Sequence, residues 1–371
     1  MMGVPLIDLS RAPFGLDDDV KEAVARVLAH KRYILGPEVE EFEKEASLHL
    51  EGAEIIGVSS GTDALLVSLM ALGVGHGDRV VTTPFSFFAT AGVVRRLGAI
   101  PVLVDIEPET YCLDTTRLPD PGPAQVKAII PVHLFGHTMD LDPVRAWSGG
   151  EVAIVEDAAQ AIGARDSNGR LAGTMGDCSA FSFFPTKNLG AIGDAGMVAT
   201  ADKSLAERVR RFRAHGQSSP YHHDDVGGNF RLDALQAAAL RASLMYLEEL
   251  NQTRVRNARG YEERFAAADL GGDRLVTPRI TDGHTFHQYV VRVLHGRRDA
   301  LLEGLRERGI GAAVYYPVPF HLQPCFRDLG LAEGSFPEAE SASLEVLALP
   351  IFPGLTEVEQ DQVVEAIRDL L

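Results

Sequence analysis

The sequence predicts an α/β fold: a mostly parallel central sheet sandwiched by helices, followed by a smaller C-terminal α+β domain. Three observations predict it. Four short β-branched runs, at 79–83, 100–105, 128–132 and 152–156, each end in a turn signal, as buried parallel strands do. The segments between them are long enough for crossover helices. From about Gly260 the pattern changes to one alternating run and two amphipathic helices. The division into a large and a small domain is placed at residues 1–245 and 246–371.

Taken in order, residues 4–9 are short and apolar and read as an arm or an edge strand. Asp17 suits the first turn of a helix reaching about His30. Pro37 suits the start of a second, over 37–50, in which Val39, Phe42, Ala46 and Leu50 share one face. After Gly57 a polar cluster leads into a buried helix over 64–72, ended by Gly73. The four parallel strands follow. Two more strands, 179–184 and 196–200, flank a glycine-rich loop. A long helix over 232–258, with a bend or break, carries the chain out of the first domain. Residues 284–294 alternate as a strand, 298–309 read as a helix, and 357–371 as a closing helix.

Composition narrows the function. With 46% hydrophobic and 23% charged residues in 371, the chain is an ordinary globular one. Cys112, Cys178 and Cys325 are too few and too scattered for a disulfide framework or a cysteine zinc site, and they suit a reducing cytoplasm. Thirty-five Lys+Arg against 52 Asp+Glu give a net charge of −17, which opposes a nucleic-acid coat or an anionic-membrane surface. The N-terminus lacks the basic start and apolar core of a signal peptide. No run approaches the ~20 apolar residues of a membrane helix. The expectation is a cytoplasmic protein with no nucleic-acid or membrane partner. The adjacent His222 and His223 diverge on regular backbone and have no companion ligands, so no metal site is expected.

Three segments carry candidate chemistry. Ser59-Ser60-Gly61-Thr62-Asp63 precedes a helix, whose unpaired amides and positive dipole end can hold a phosphate. The same residues also make an ordinary N-cap. Glu156-Asp157-Ala158-Ala159-Gln160 follows a parallel strand, so Asp157 stands at the carboxyl end where open α/β sheets bind ligands. A helix cap would use the same carboxylate. Phe181-Ser182-Phe183-Phe184-Pro185-Thr186-Lys187-Asn188-Leu189-Gly190 sets a lysine directly after an apolar strand. Desolvation there lowers the amine pKa and frees it to attack carbonyls. The bland alternative is a strand-end lysine reaching for water.

Together these segments resemble the DegT/StrS family of pyridoxal-phosphate nucleotide-sugar aminotransferases, of the fold type I class. The resemblance continues through Gly228-Asn229-Phe230-Arg231-Leu232-Asp233, Leu235-Gln236-Ala237-Ala238, Tyr315 to Gln323 and Leu349-Pro350-Ile351-Phe352-Pro353. It covers nearly the whole chain in the expected order. It implies that Lys187 forms the Schiff base with pyridoxal 5'-phosphate. An ionised Asp157 would face the ring nitrogen, and Gln160 would lie beside the ring oxygen. Phe87 would stack on the ring, with Phe88 as the neighbour left to core packing. Gly61, Thr62, Asp63 and Ser182 would hold the phosphate. Asn229 would reach it from a second subunit, which implies a homodimer with shared active sites.

The resemblance further implies that Arg231, Tyr315, Tyr316 and His321 meet the substrate, although aromatic packing or surface pairing would also account for them. The reaction implied is transfer of an amine, with glutamate as the donor the resemblance implies, to the keto group of a nucleotide-linked sugar. The 213–217 and 221–223 stretches resemble enzymes that aminate C3. C4 amination, a sugar dehydratase and a regulatory protein of the same fold are the alternatives. One branch of the family has histidine in place of the lysine and removes a hydroxyl, so Lys187 favours aminotransfer. Gly193-Asp194-Ala195-Gly196 departs from the family's Gly-Asp-Gly-Gly. The extra methyl matters only if Ala195 needs a positive φ.

Overall fold

The structure, a computed structural model, describes residues 3–119 and 126–371. Its centre is a seven-stranded sheet of β1 (Glu54–Val58), β2 (Arg79–Thr82), β3 (Ile100–Leu103), β4 (Val126–Ile130), β5 (Ala153–Asp157), β6 (Cys178–Ser182) and β7 (Gly196–Thr200). The spatial order is β1-β7-β6-β5-β4-β2-β3. Strand β7 runs antiparallel to both neighbours, and the other pairings are parallel. The expected strands are all present, and the mixed sheet is the predicted α/β class.

Strand β1 is an addition to the sequence reading. Gly57 interrupts its apolar run and hides it. A Cβ at that position would lie 2.7 Å from Leu232 Cδ2, so the strand carries a glycine where the chain returning from residue 231 crosses it.

Helices α1 (Leu16–His30), α2 (Pro37–His49), α3 (Gly61–Ala71), α4 (Ala89–Arg96), α5 (Asp142–Ser148) and α6 (Lys203–Arg213) surround the sheet. Helix α3 is apolar on all sides, and its core residues Leu65, Val67 and Leu69 pack with Val80, Ile130, Val155 and Val198 of the strands. An exposed hairpin, β8 (Gln217–Ser219) and β9 (His222–His223), follows α6. The long helix expected over 232–258 is two: α7 (Ala234–Leu244) and α8 (Leu247–Ala267). The break at Met245 and Tyr246 lets α7 lay its alanines against α1 while α8 turns away. The Tyr246 hydroxyl pins the break, donating to Asp19 Oδ2 at 2.6 Å.

A second, antiparallel sheet orders β10 (Leu275–Val276), β11 (Tyr289–Val293) and β12 (Val346–Leu349). Helices α9 (Arg298–Glu307), α10 (Pro337–Glu345) and α11 (Glu357–Leu370) accompany it. Tyr261, Phe265, Tyr289, Val291, Leu305, Leu347 and Val363 build a separate core there. Residue Val4 joins that core and bridges to Ile310, so the N-terminal segment is an arm onto the small sheet.

The strand expected over 284–294 begins only at Tyr289. Residues 284–288 form a strap whose amides bond elsewhere: Thr285 N donates to Gly136 O at 3.0 Å and Gln288 N to Phe135 O at 3.3 Å. Among the described residues, no helix is long and apolar enough to cross a membrane, and no cluster of three metal-ligating side chains occurs.

Candidate active site

Lys187 sits on the loop that leaves β6. The Lys187 amide donates to Phe184 O at 2.8 Å, making a tight turn. Bonds from Phe183 N to Ala195 O and from Ala191 N to Phe183 O close the loop, both at 2.8 Å. Gly190 permits this closure, because a Cβ there would lie 2.4 Å from Pro185 O. Burial pushes the Lys187 amine down to about 8, and the nearby Asp157 carboxylate pulls it back up.

Asp157 ends β5. Its Oδ2 accepts from the Thr90 hydroxyl at 2.7 Å, and Oδ1 accepts from Ala159 N at 3.3 Å. Burial raises its carboxyl above the usual range, against the opposing pull of Thr90, Ala159, Lys187 and His133. A buried carboxylate with two light donors is stabilised when a cation is placed beside it. Thr90 is the residue the sequence reading missed. It stands in the same 85–90 segment as Phe87 and bonds Ser86 at 3.0 Å on its other side.

The start of α3 lies against the end of β6. A Cβ on Gly61 would fall 2.6 Å from Ser182 Cβ, so glycine brings Gly61, Thr62 and Ser182 together. Ser60 Oγ caps the helix by accepting from Asp63 N at 3.0 Å, and Asp63 Oδ2 accepts from Ser59 Oγ at 2.6 Å. Asp63 is thus engaged in the cap, and the Gly61 and Thr62 amides are the helix-start donors without intrahelical acceptors. The Gly-Asp-Ala-Gly departure is harmless. Ala195 is buried and is not among the residues with positive φ. Gly196 is the constrained position, since a Cβ there would lie 2.5 Å from the Ser60 carbonyl.

Gln160 is held at both ends: Oε1 accepts from Phe135 N at 2.7 Å, and Nε2 donates to the Tyr316 hydroxyl at 3.0 Å. Phe87 is 57% exposed and its ring tilts toward Tyr316, 6.4 Å away. Phe88 instead packs on Phe320 and Phe326. Tyr315 lies beside Tyr316, and burial raises both phenols.

Residues 229–231 run alongside the approach to α3, with Ser59 N donating to Phe230 O at 3.0 Å and Arg231 bridging to Val58. Asn229 is exposed there. Arg231 is half-buried, and its Nε has no hydrogen-bond partner among the described residues. His321 is tied to Glu340. It is buried, with Nε2 2.9 Å from Glu340 Oε1 and its ring edge-on to Phe336.

The sequence pattern of the DegT/DnrJ/EryC1/StrS aminotransferase family matches residues 15–368. The chain belongs to this family. Relatives of this DegT/DnrJ/EryC1/StrS chain include a pleiotropic regulatory protein of Geobacillus stearothermophilus, 44% identical over 99% of this chain and 98% of that one. A dTDP-3-amino-3,4,6-trideoxy-alpha-D-glucose transaminase of Streptomyces venezuelae is 41% identical over 99% and 96%. The solved structure of S. venezuelae DesV in complex with a ketimine intermediate superposes with a TM-score of 0.93 at 39% identity, covering 100% of this chain and 98% of that one.

As a member of this family the protein is an aminotransferase whose cofactor is pyridoxal phosphate. The residues present fit that group. Asp157 is a buried carboxylate outside any ion pair with an arginine or lysine among the described residues, as a ring cation requires. The glycine-lined contact of Gly61 with Ser182 offers amides and a hydroxyl, as a phosphate requires.

Proposed function

We propose that the protein moves an amino group from glutamate to the C3 keto group of a nucleotide-linked sugar, as a cytoplasmic homodimer with shared active sites. The observation that carries this reading is the pairing of a desolvated amine at Lys187 with a buried carboxyl at Asp157. These are the two groups an amine-transfer site needs at opposite ends of one ring. The names of relatives support the C3 assignment. Besides the S. venezuelae transaminase, an Acidithiobacillus ferrooxidans relative, 40% identical over 99% of this chain, is a UDP-N-acetyl-3-dehydro-alpha-D-glucosamine 3-aminotransferase.

The geometry supports the following roles. Asp157 holds a proton on the ring nitrogen, a charge-assisted bond worth about 1.5–3 kcal/mol. When bound, the cofactor supplies an electron sink for the substrate carbon. Lys187 Nζ, near neutrality at about 8, takes and returns the proton at that carbon. Gly61 and Thr62 amides with the Ser182 hydroxyl hold the phosphate, and Asp63 shapes the cap beneath them. Phe87 covers the ring, and Gln160 is fixed beside it by Phe135 and Tyr316. Asn229, exposed on its own chain, serves the phosphate of the second subunit's site. Arg231, Tyr315 and Tyr316 line the sugar nucleotide's path, while His321 supports that wall through Glu340. Residues 1–245, apart from the arm at Val4, form the cofactor-binding domain and 246–371 the small domain.

The test is mass spectrometry of products from a panel of keto-sugar nucleotides with glutamate. A C3-aminated product is expected. A C4 amine revises the position, and a deoxygenated product without nitrogen overturns aminotransfer. The Geobacillus relative's name keeps a regulator without turnover in view. Tight cofactor binding with no amine transfer from any amino acid would establish that reading instead.

A further inference from the structure

Asn188, directly after the lysine, belongs to a buried polar group outside the site described above. Asn188 Nδ2 donates to Asn251 Oδ1 at 2.8 Å and to the Thr285 carbonyl at 3.0 Å. Asn251 Nδ2 donates to the Ile162 carbonyl at 3.0 Å, which leaves its Oδ1 as the acceptor. Asn188 Oδ1 therefore faces His287, 3.2 Å from Nδ1, and that nitrogen carries the proton. The other ring nitrogen, Nε2, is a lone pair 3.5 Å from the Gln288 amide nitrogen. One set of donors and acceptors satisfies the whole group, and it requires a neutral imidazole. Burial holds His287 well below the usual histidine range, and Lys187 and Arg254 push the same way.

The members come from three parts of the fold. Asn188 is on the lysine loop, Asn251 on α8, and Thr285 and His287 on the strap that enters β11. The strap is itself fastened to the large sheet's 135–136 turn.

We propose that Asn188 and His287 are positioning residues for Lys187. They tie the lysine loop to α8 and to the strap entering the three-stranded sheet, so that the seating of that sheet sets where the amine stands. This rests on the reading of Lys187 as the reactive lysine. A lysine poised by burial needs its loop held, because a small outward shift restores water to the amine and its ordinary basicity. A misplacement of about 1 Å can cost on the order of 10²-fold in rate.

The full chain, freed of cofactor, is labelled with isotopic acetic anhydride across about pH 6 to 11. Modification of Lys187 is read by peptide mass spectrometry, and its midpoint in the unaltered chain is expected near 8. Asn188→Ala and His287→Leu are expected to raise the midpoint by about one unit or more, toward the ordinary lysine value near ~10.4. They should also lower kcat by about tenfold or more, with KM for the keto sugar little changed. His287→Asn places an amide donor where Nδ1 stood and is expected to restore the midpoint.

An unmoved midpoint in Asn188→Ala and His287→Leu overturns the proposal, as does His287→Asn shifting as far as His287→Leu. If His287→Leu does not fold, Asn188→Ala and His287→Asn decide the matter between them. The labelling uses no substrate, so a wrong sugar assignment leaves it standing. A visible absorbance band of the bound cofactor left unchanged by Lys187→Ala overturns the reactive-lysine reading itself.

Discussion

Glu156 and Asp157 are consecutive residues of β5, and the pleat sends them to opposite faces of the sheet. Both are buried carboxyls, yet their surroundings differ. Glu156 is saturated. Its Oε1 accepts from Met175 N at 2.7 Å and from Gly176 N, and Oε2 accepts from Gly173 N at 2.7 Å. Met139 N donates to His133 Nδ1, so the proton is on Nε2, which donates to Glu156 at 2.8 Å. Asp157 has one hydroxyl and one long amide bond. The first carboxylate organises two loops around itself, at 133–139 and 173–176. The second has acceptor capacity left over, and that surplus marks the functional face of the strand better than burial does.

The comparison can be broken in several ways, and the largest effect is on turnover. Lys187→Ala is expected to lower amine transfer by about 10⁴-fold or more and to abolish the visible absorbance band of the bound cofactor. Asp157→Asn keeps size and burial but not charge. It should cost about 10²–10⁴-fold in kcat, while a thermal melt of the cofactor-free chain stays level or rises. Glu156→Ala should do the opposite kind of damage. It strips several buried donors of their acceptor and is expected to cost about 3–5 kcal/mol in denaturant unfolding. If Asp157→Asn unfolds the chain while Glu156→Ala only slows it, the assignment of faces is reversed.

A smaller effect concerns pH. The folded pKa of Lys187, about 8, lies below its ordinary 10.5. The unfolded chain therefore binds more protons between these values, and the penalty of burying the ammonium is complete below about 8. Lys187→Met should stabilise the cofactor-free chain by about 1–3 kcal/mol at pH 7. That advantage should fade as pH rises from about 8 toward 10.5, as paired melts across pH will show. The smallest effect sharpens the aromatic assignment. Phe87→Ala should weaken cofactor binding by about tenfold, on the order of 1.4 kcal/mol. Phe88→Ala should act chiefly on stability through the lost contacts with Phe320 and Phe326.

The sheet was legible because buried parallel strands leave β-branched runs with turns after them. β1 and β12 were not: Gly57 interrupts one, and Val346 to Leu349 follow a helix without alternation. The lysine loop and helix start were legible as local motifs. Thr90, His133 and His287 were not, because their partners Asp157, Glu156 and Asn188 lie 67, 23 and 99 residues away in the chain. The strap at 284–288 has strand-like residues, and only its bonds to Phe135 and Gly136 remove it from the strand.

The glycines at 61 and 196 carry a last consequence. Each lets two elements close at the phosphate end of the site, Gly61 against Ser182 and Gly196 against the Ser60 carbonyl. The start of α3 and strands β6 and β7 are thereby locked at one fixed separation. That separation works as a gauge: a phosphate seated between the helix start and the Ser182 hydroxyl must match its width, so Gly61→Ala or Gly196→Ala would reset the measure for every phosphate-bearing ligand at once.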